Sequence, residues 1–135
     1  MKRSLVLFFG LILLLGFCPA VHAADAIEIA LLYPLTGPLA DPGSRAKAAC
    51  DVAAEIINGS YDLPGIPFAK TQGIPNKGGA KIVLKYYDTQ GSPEVGKAET
   101  ERILQEGKAK LIIGAYQSSV TKPTSFVAER QKFPY

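Results

Sequence analysis

Histidine and cysteine are nearly absent from this sequence: His22 is its one histidine, and Cys18 and Cys50 are its only cysteines. Two of these three fall in an opening that reads as an export signal. Met1-Lys2-Arg3 is a short positive start, Leu5 to Phe17 is an apolar run broken only by Gly10 and Gly16, and Pro19 ends it. Val21-His22-Ala23 then offers a cleavage site, so residues 1–23 are expected to be a secretory signal peptide. The alternatives are a membrane anchor and a lipoprotein signal ending at Cys18. The run is shorter than the roughly 20 apolar residues of a membrane span, and Phe17 stands where a lipoprotein signal has Gly, Ala or Ser.

Removing that segment leaves one thiol and no imidazole. One thiol forms no internal disulfide. Without histidine, the mature chain has no imidazole base, no Ser-His-Asp triad and no His-ligated metal. Runs of like charge are absent as well. Lys2 and Arg3 leave with the signal, so 13 basic residues (15 − 2) face 12 acidic ones, a balance of about +1. That balance implies no polyanionic partner, and no nucleic acid is expected. No GxGxxG or GxxxxGK[ST] occurs, and Gly114-Ala115-Tyr116-Gln117-Ser118 departs from the nucleophile pattern GxSxG.

What remains, residues 24–135, is an alternation of apolar runs and helical patterns. Ile27 to Tyr33, Lys81 to Tyr87 and Leu111 to Tyr116 read as strands, the first dense enough to be buried on both faces. A first helix is expected from Ser44 to Asn58, with Ala46, Ala49, Cys50, Ala53 and Ile57 on one face, which makes Cys50 a small core residue. Asn58-Gly59 is a stop that tolerates left-handed backbone. Ser92 and Pro93 start a second helix and Gly107 ends it, with Gly96, Thr100, Ile103 and Leu104 turned to the sheet. A third runs from about Ser118 to Gln131, with Val120, Thr124 and Val127 sharing a face. Phe133-Pro134-Tyr135 opens another strand. The fold class is therefore α/β, with βαβ units and a parallel sheet.

Parallel α/β sheets bind ligands beyond the carboxyl ends of their strands. Three segments converge there: Tyr33 to Pro38, Asp88 to Ser92 and Gly114 to Ser119. Ser118, Ser119 and Thr121 sit where the third strand turns into a helix. The first-turn amides of such a helix lack internal partners and its dipole adds positive charge, so a carboxylate fits there. The competing reading is that Ser118 or Ser119 merely caps the helix. Asp88 is either an acid/base group or a turn-forming aspartate at a strand end.

Three motifs in order, LTGP after the first strand, YDxQGSP after the second and IGxYxSSVT after the third, resemble the opening of a type I periplasmic binding protein. The group most similar is the branched-chain amino acid and amide receptors of ABC transporters, and the match covers nearly all of Ile27 to Tyr135. The resemblance implies a two-lobed α/β receptor that closes on its ligand, with residues 24–135 as the N-terminal part of the first lobe, itself incomplete. It implies a periplasmic, non-catalytic protein without cofactor or metal. Its partners would be a small amino acid or amide, leucine among them, and permease subunits, through which alone it meets the membrane. A sensory module on the same fold is the runner-up, and an exported enzyme using Asp88 the third possibility. In this family a serine after the third strand binds the ligand carboxylate, a place held by Ser118. Ser119, Gln117 and Tyr116 would line the same cleft. Pro42 stands near where many members stack an aromatic, so Tyr33 is a candidate substitute. Gly91 and Gln117 occupy positions that some members join by a disulfide. The long loop from Leu63 to Asn76 is expected to shape the rim of the cleft.

Overall fold

A computed structural model describes residues 25–135. The signal-peptide reading of residues 1–23, with Cys18 and His22, lies outside the described residues. Three strands, β1 (Ile27–Tyr33), β2 (Ile82–Asp88) and β3 (Leu111–Gly114), form one sheet in the order β2-β1-β3. All pairings are parallel, from Ile27 beside Ile82 to Tyr33 beside Asp88 and from Ile29 beside Leu111 to Leu32 beside Gly114. Three helices alternate with them: α1 (Ala40–Asn58), α2 (Pro93–Glu106) and α3 (Ser118–Arg130). This is the α/β arrangement that the alternation of runs predicts, and β1, the densest apolar run, takes the central position.

Parallel register puts paired residues on the same face. Ala30, Leu32, Tyr87 and Ile112 point to one side, where Ile103 of α2, Ala128 of α3 and Ala109 complete a buried cluster. Ile29 and Leu31 point to the other side, towards Cys50, Ala54 and Ile57 of α1. The α3 stripe of Val120, Thr124 and Val127 is buried as expected, and so are Gly96, Thr100 and Ile103 of α2. Gly96 also sets the helix spacing. A Cβ there would lie 2.5 Å from Val120 Cγ1, so α2 and α3 touch where α2 has no side chain.

The ends of α2 follow the sequence signals. Ser92 Oγ accepts from Val95 N at 3.3 Å, Pro93 opens the helix, and Gly107 closes it with a φ of 63°. For α1 the structure corrects two expectations. The helix starts at Ala40 rather than Ser44, because Pro42 falls in the first turn, where a missing N–H costs nothing. Gly43 is the residue that lets this turn lie flat on the end of β1, since a Cβ would lie 1.9 Å from the Pro34 carbonyl oxygen. At the other end Gly59 is extended, not left-handed. The stop comes instead from Asn58, whose side chain pairs with the Ile82 backbone through two bonds of 2.7 Å. Ala49 and Ala53 are exposed and Cys50 is only half-buried, so this stripe is less of a core face than its spacing predicts.

The segment between α1 and β2 holds two short 3-10 turns, Pro67–Lys70 and Pro75–Lys77, and folds back by bonds such as Gly73 N to the Ile57 carbonyl at 2.7 Å. It leads into the start of β2. It therefore sits at the amino ends of the strands, a strand length of about 23 Å from their carboxyl ends, and is no rim of a site located there. The expected strand at Phe133 is not formed as a regular element among the described residues. Pro134 lies beside β3, its carbonyl accepting from Ile112 N at 2.9 Å, which is a contact of the kind an opening strand makes.

Candidate functional site

The segments leaving the three strands meet at the carboxyl edge of the sheet, and hydrogen bonds brace them to one another. Asp88, the last residue of β2, is the first brace. Its carboxylate accepts from Leu35 N at 2.8 Å, Thr36 N at 3.3 Å, the Thr36 hydroxyl at 2.6 Å and Gln90 N at 2.9 Å. Partial burial works to raise the Asp88 pKa, but the Thr36 hydroxyl and the amides of Gln90, Leu35 and Thr36 outweigh it and hold the group below its ordinary value. An ionised carboxylate with four donors is occupied. It organises the loops and is poorly suited to the acid/base role, so the turn-forming reading of Asp88 prevails.

Gln117 makes the second brace. Its Nε2 donates to the Gly91 carbonyl at 3.2 Å, which ties the segment after β3 to the one after β2. The two positions that the family resemblance pairs are thus in contact, through an amide rather than a disulfide.

The structure places the four candidate ligand residues differently. Tyr116 is 53% exposed. Gln117 is half-buried and its amide is engaged with Gly91. Ser118 and Ser119 are exposed and form the first two residues of α3. The residue before the helix is Gln117, whose carbonyl accepts from Val120 N at 3.0 Å and Thr121 N at 2.9 Å. No side chain caps α3, so neither serine is spent as a cap, against the competing reading of the sequence. The amides of Ser118 and Ser119 precede the first helical bond and have no backbone acceptor among the described residues. Thr121 faces inward: its hydroxyl bonds to the carbonyls of Ala115 and Gln117, both at 3.0 Å.

Tyr33 turns beneath α1, with its hydroxyl 3.8 Å from Cys50 Sγ. Burial first, and then the Cys50 contact, push its pKa up to about 12. It is half-buried, and its hydroxyl is directed to α1. Sequence reasoning missed Thr36 and the bracing function of Asp88. The signal was present in the pairing of a hydroxyl after β1 with an acid after β2, on adjacent strands, but only register brings them together.

The geometry can therefore hold an anion at two free amides and two serine hydroxyls, beside an exposed tyrosine. No cationic side chain is needed for that.

A family model described as periplasmic binding protein matches residues 26–135. The Leu/Ile/Val-binding protein homolog 3 of Brucella melitensis biotype 1 is 34% identical over 113 residues, which are 84% of this chain and 26% of that protein. The chain thus spans about a quarter of the length of the curated relatives it matches. Among solved structures, the LivJ substrate-binding protein of Streptococcus pneumoniae in complex with isoleucine superposes with a TM-score of 0.64 at 17% identity, over 82% of this chain and 28% of that one. A solute-binding protein of an ABC transporter from R. palustris in complex with benzoate gives 0.63 at 21% identity, over 82% and 26%. At these identities the two structures speak to the fold, that of type I periplasmic binding proteins.

Proposed function

The chain belongs to the periplasmic binding protein family, and from that premise we propose that it is the beginning of an extracytoplasmic receptor for branched-chain or related amino acids or amides. Residues 1–23 direct export to the periplasm and are removed. Residues 24–135 form the opening part of the first of two lobes. The receptor presents its ligand to the permease subunits of an ABC importer and alters no covalent bond.

The observation that carries this reading is the start of α3. Two serines stand at its first two positions without capping it, beside two amides with no backbone acceptor. A ligand carboxylate satisfies those donors and meets the positive end of the helix dipole. The names of the curated relatives, Leu/Ile/Val-binding proteins, support an amino acid as the owner of that carboxylate.

The test uses the full-length protein expressed from its natural reading frame. Titration calorimetry with L-leucine, L-isoleucine and L-valine should show binding. A hydrogen bond to a charged group is worth about 1.5–3 kcal/mol, so Ser118→Ala should weaken it about 10- to 150-fold. Unchanged affinity in a folded Ser118→Ala protein rejects the role of Ser118. Failure of all three to bind rejects the branched-chain amino acids, and failure of L-alanine, L-threonine and short aliphatic amides as well rejects the ligand class.

A further inference from the structure

Gln117 donates Nε2 to the Gly91 carbonyl at 3.2 Å, while its Oε1 is buried without a hydrogen-bond partner. Gly91 has a φ of +72°, and a Cβ there would lie 3.3 Å from both Nε2 and Oε1 of Gln117. The amide thus lies against the backbone of the neighbouring loop and faces a position without a side chain. Through its backbone the same residue opens α3, with a φ of −99° and a ψ of 136° and a carbonyl that starts the helical bonds.

We infer that Gln117 is a positioning residue that acts through Ser118 and Ser119, and not a ligand contact. This rests on the carboxylate site proposed above. Side chain and carbonyl of Gln117 together fix two points: the loop after β2 and the first turn of α3. Between them they set the direction of the two free amides. Gly91 donates its own N–H to the Thr89 hydroxyl at 3.4 Å and follows Gln90, whose N–H donates at 2.9 Å to the Asp88 carboxylate that also grips Leu35 and Thr36. The three loops become one frame, and a frame set before the ligand arrives lowers the ordering cost of binding.

The unpartnered Oε1 separates positioning from stabilisation. An orphaned buried acceptor costs free energy, so the clamp yields less stability than an ordinary hydrogen bond, and an apolar residue of similar shape should be tolerated. Gln117→Leu should therefore melt close to the wild type while weakening L-leucine binding about 2- to 12-fold, the net value of one hydrogen bond.

The experiment uses the ligand-free and the L-leucine-bound full-length protein. Hydrogen–deuterium exchange read by mass spectrometry should show faster uptake in peptides spanning residues 115–121 for Gln117→Leu. Gly91→Ala, which intrudes on the amide from the opposite loop, should show the same increase across the gap. The exposed control Gln105→Ala should leave those peptides unchanged. Calorimetry should find the double variant Gln117→Leu/Ser118→Ala little weaker than Ser118→Ala alone. Unchanged exchange at residues 115–121 in both clamp variants overturns the inference, as does full additivity with Ser118→Ala. A fall in melting temperature with affinity intact would make Gln117 a structural residue only, and also overturns it. If Ser118→Ala proves silent, the carboxylate site fails on its own, and the exchange data still decide the clamp.

Discussion

On one face of the sheet, two helices seal Ala30, Leu32, Tyr87 and Ile112 into a cluster with Ile103 and Ala128. On the other, α1 is the one helix over β1 and β2 among the described residues. A cleft of about 140 Å³ remains between it and the sheet, and Ile113 is 42% exposed. Ile112 and Ile113 are chemically the same and adjacent in sequence, yet Ile112 is fully buried. Among the described residues, the difference is the number of helices over each face. An apolar residue on a strand is an offer of core, and a covering element decides whether it is taken up.

The sharpest way to break this comparison is to truncate both isoleucines in the full-length protein. Ile112→Ala should cost about 2–5 kcal/mol, as for a buried aliphatic residue, and lower the denaturation midpoint accordingly. Ile113→Ala should cost well under half of that. Equal losses by urea denaturation would mean that the second face is closed by chain outside the described residues, and the asymmetry would vanish.

A second test attacks the sealed face through its helices. Gly96→Val adds a branched side chain where even one Cβ lies 2.5 Å from Val120 Cγ1 and 3.2 Å from Thr124 Cγ2. Overpacking of this kind costs about 1–3 kcal/mol. Because α2 and α3 both start at the candidate site, ligand affinity should fall together with stability. Ala53→Val, at an exposed position of α1 beside the open cleft, has space to occupy and should be near neutral.

A third distinguishes the braced edge from the core. Asp88→Ala removes the acceptor of four donors and should cost about 1.5–3 kcal/mol, the range for a charge-assisted bond. Its pH signature has a definite sign. The folded pKa is depressed, so the stabilising contribution is present above the unfolded value near 3.9 and is lost as the pH falls through the lower folded pKa. The variant should lose that acid-limb dependence, as followed by melting temperature between about pH 2 and 6. A variant that keeps the wild-type slope would show that Asp88 is not the brace.

These contrasts also mark what the sequence revealed. The strand alternation, the burial of β1, the α2 caps at Ser92 and Gly107 and the stripe Val120-Thr124-Val127 were legible, because each is written in local spacing. The start of α1 was not, since Pro42 and Gly43 look like loop residues until Pro34 is seen against them. The exposure of Ala49 and Ala53 was illegible for the same reason as that of Ile113: periodicity reports a face but not what covers it. At the site, the position of Ser118 and Ser119 was legible. The bond from Gln117 to Gly91 and the grip of Asp88 on Leu35 and Thr36 depend on strand order, which short motifs do not encode. The placement of the long loop was misjudged as a rim because its length was weighed before the end of the sheet it joins.

The smallest expected effect lies under α1 on the open face. The Tyr33 hydroxyl has Cys50 Sγ as its hydrogen-bond partner, at 3.8 Å. A thiol is a weak donor and a weak acceptor, so this contact offsets little of the cost of burying a phenol. Tyr33→Phe should therefore change stability by less than about 0.5 kcal/mol at neutral pH, in either direction. Its mark appears at high pH. The folded pKa of about 12 exceeds the value near 10 of an unfolded tyrosine, so in that window the folded state holds more protons than the unfolded one. Stability must then fall as the pH rises from 10 towards 12, and the Tyr33 contribution is fully present only below that window. Tyr86, Tyr87 and Tyr135 shift in the same direction, mainly through burial, so the Tyr33→Phe substitution would remove one share of the alkaline loss and leave the rest. Melting curves of wild type and variant should coincide at pH 7 and separate above pH 10, with the variant the more stable. Curves that separate at pH 7 by several degrees would show that the hydroxyl is well bonded after all, and that the open face is packed as tightly as the sealed one.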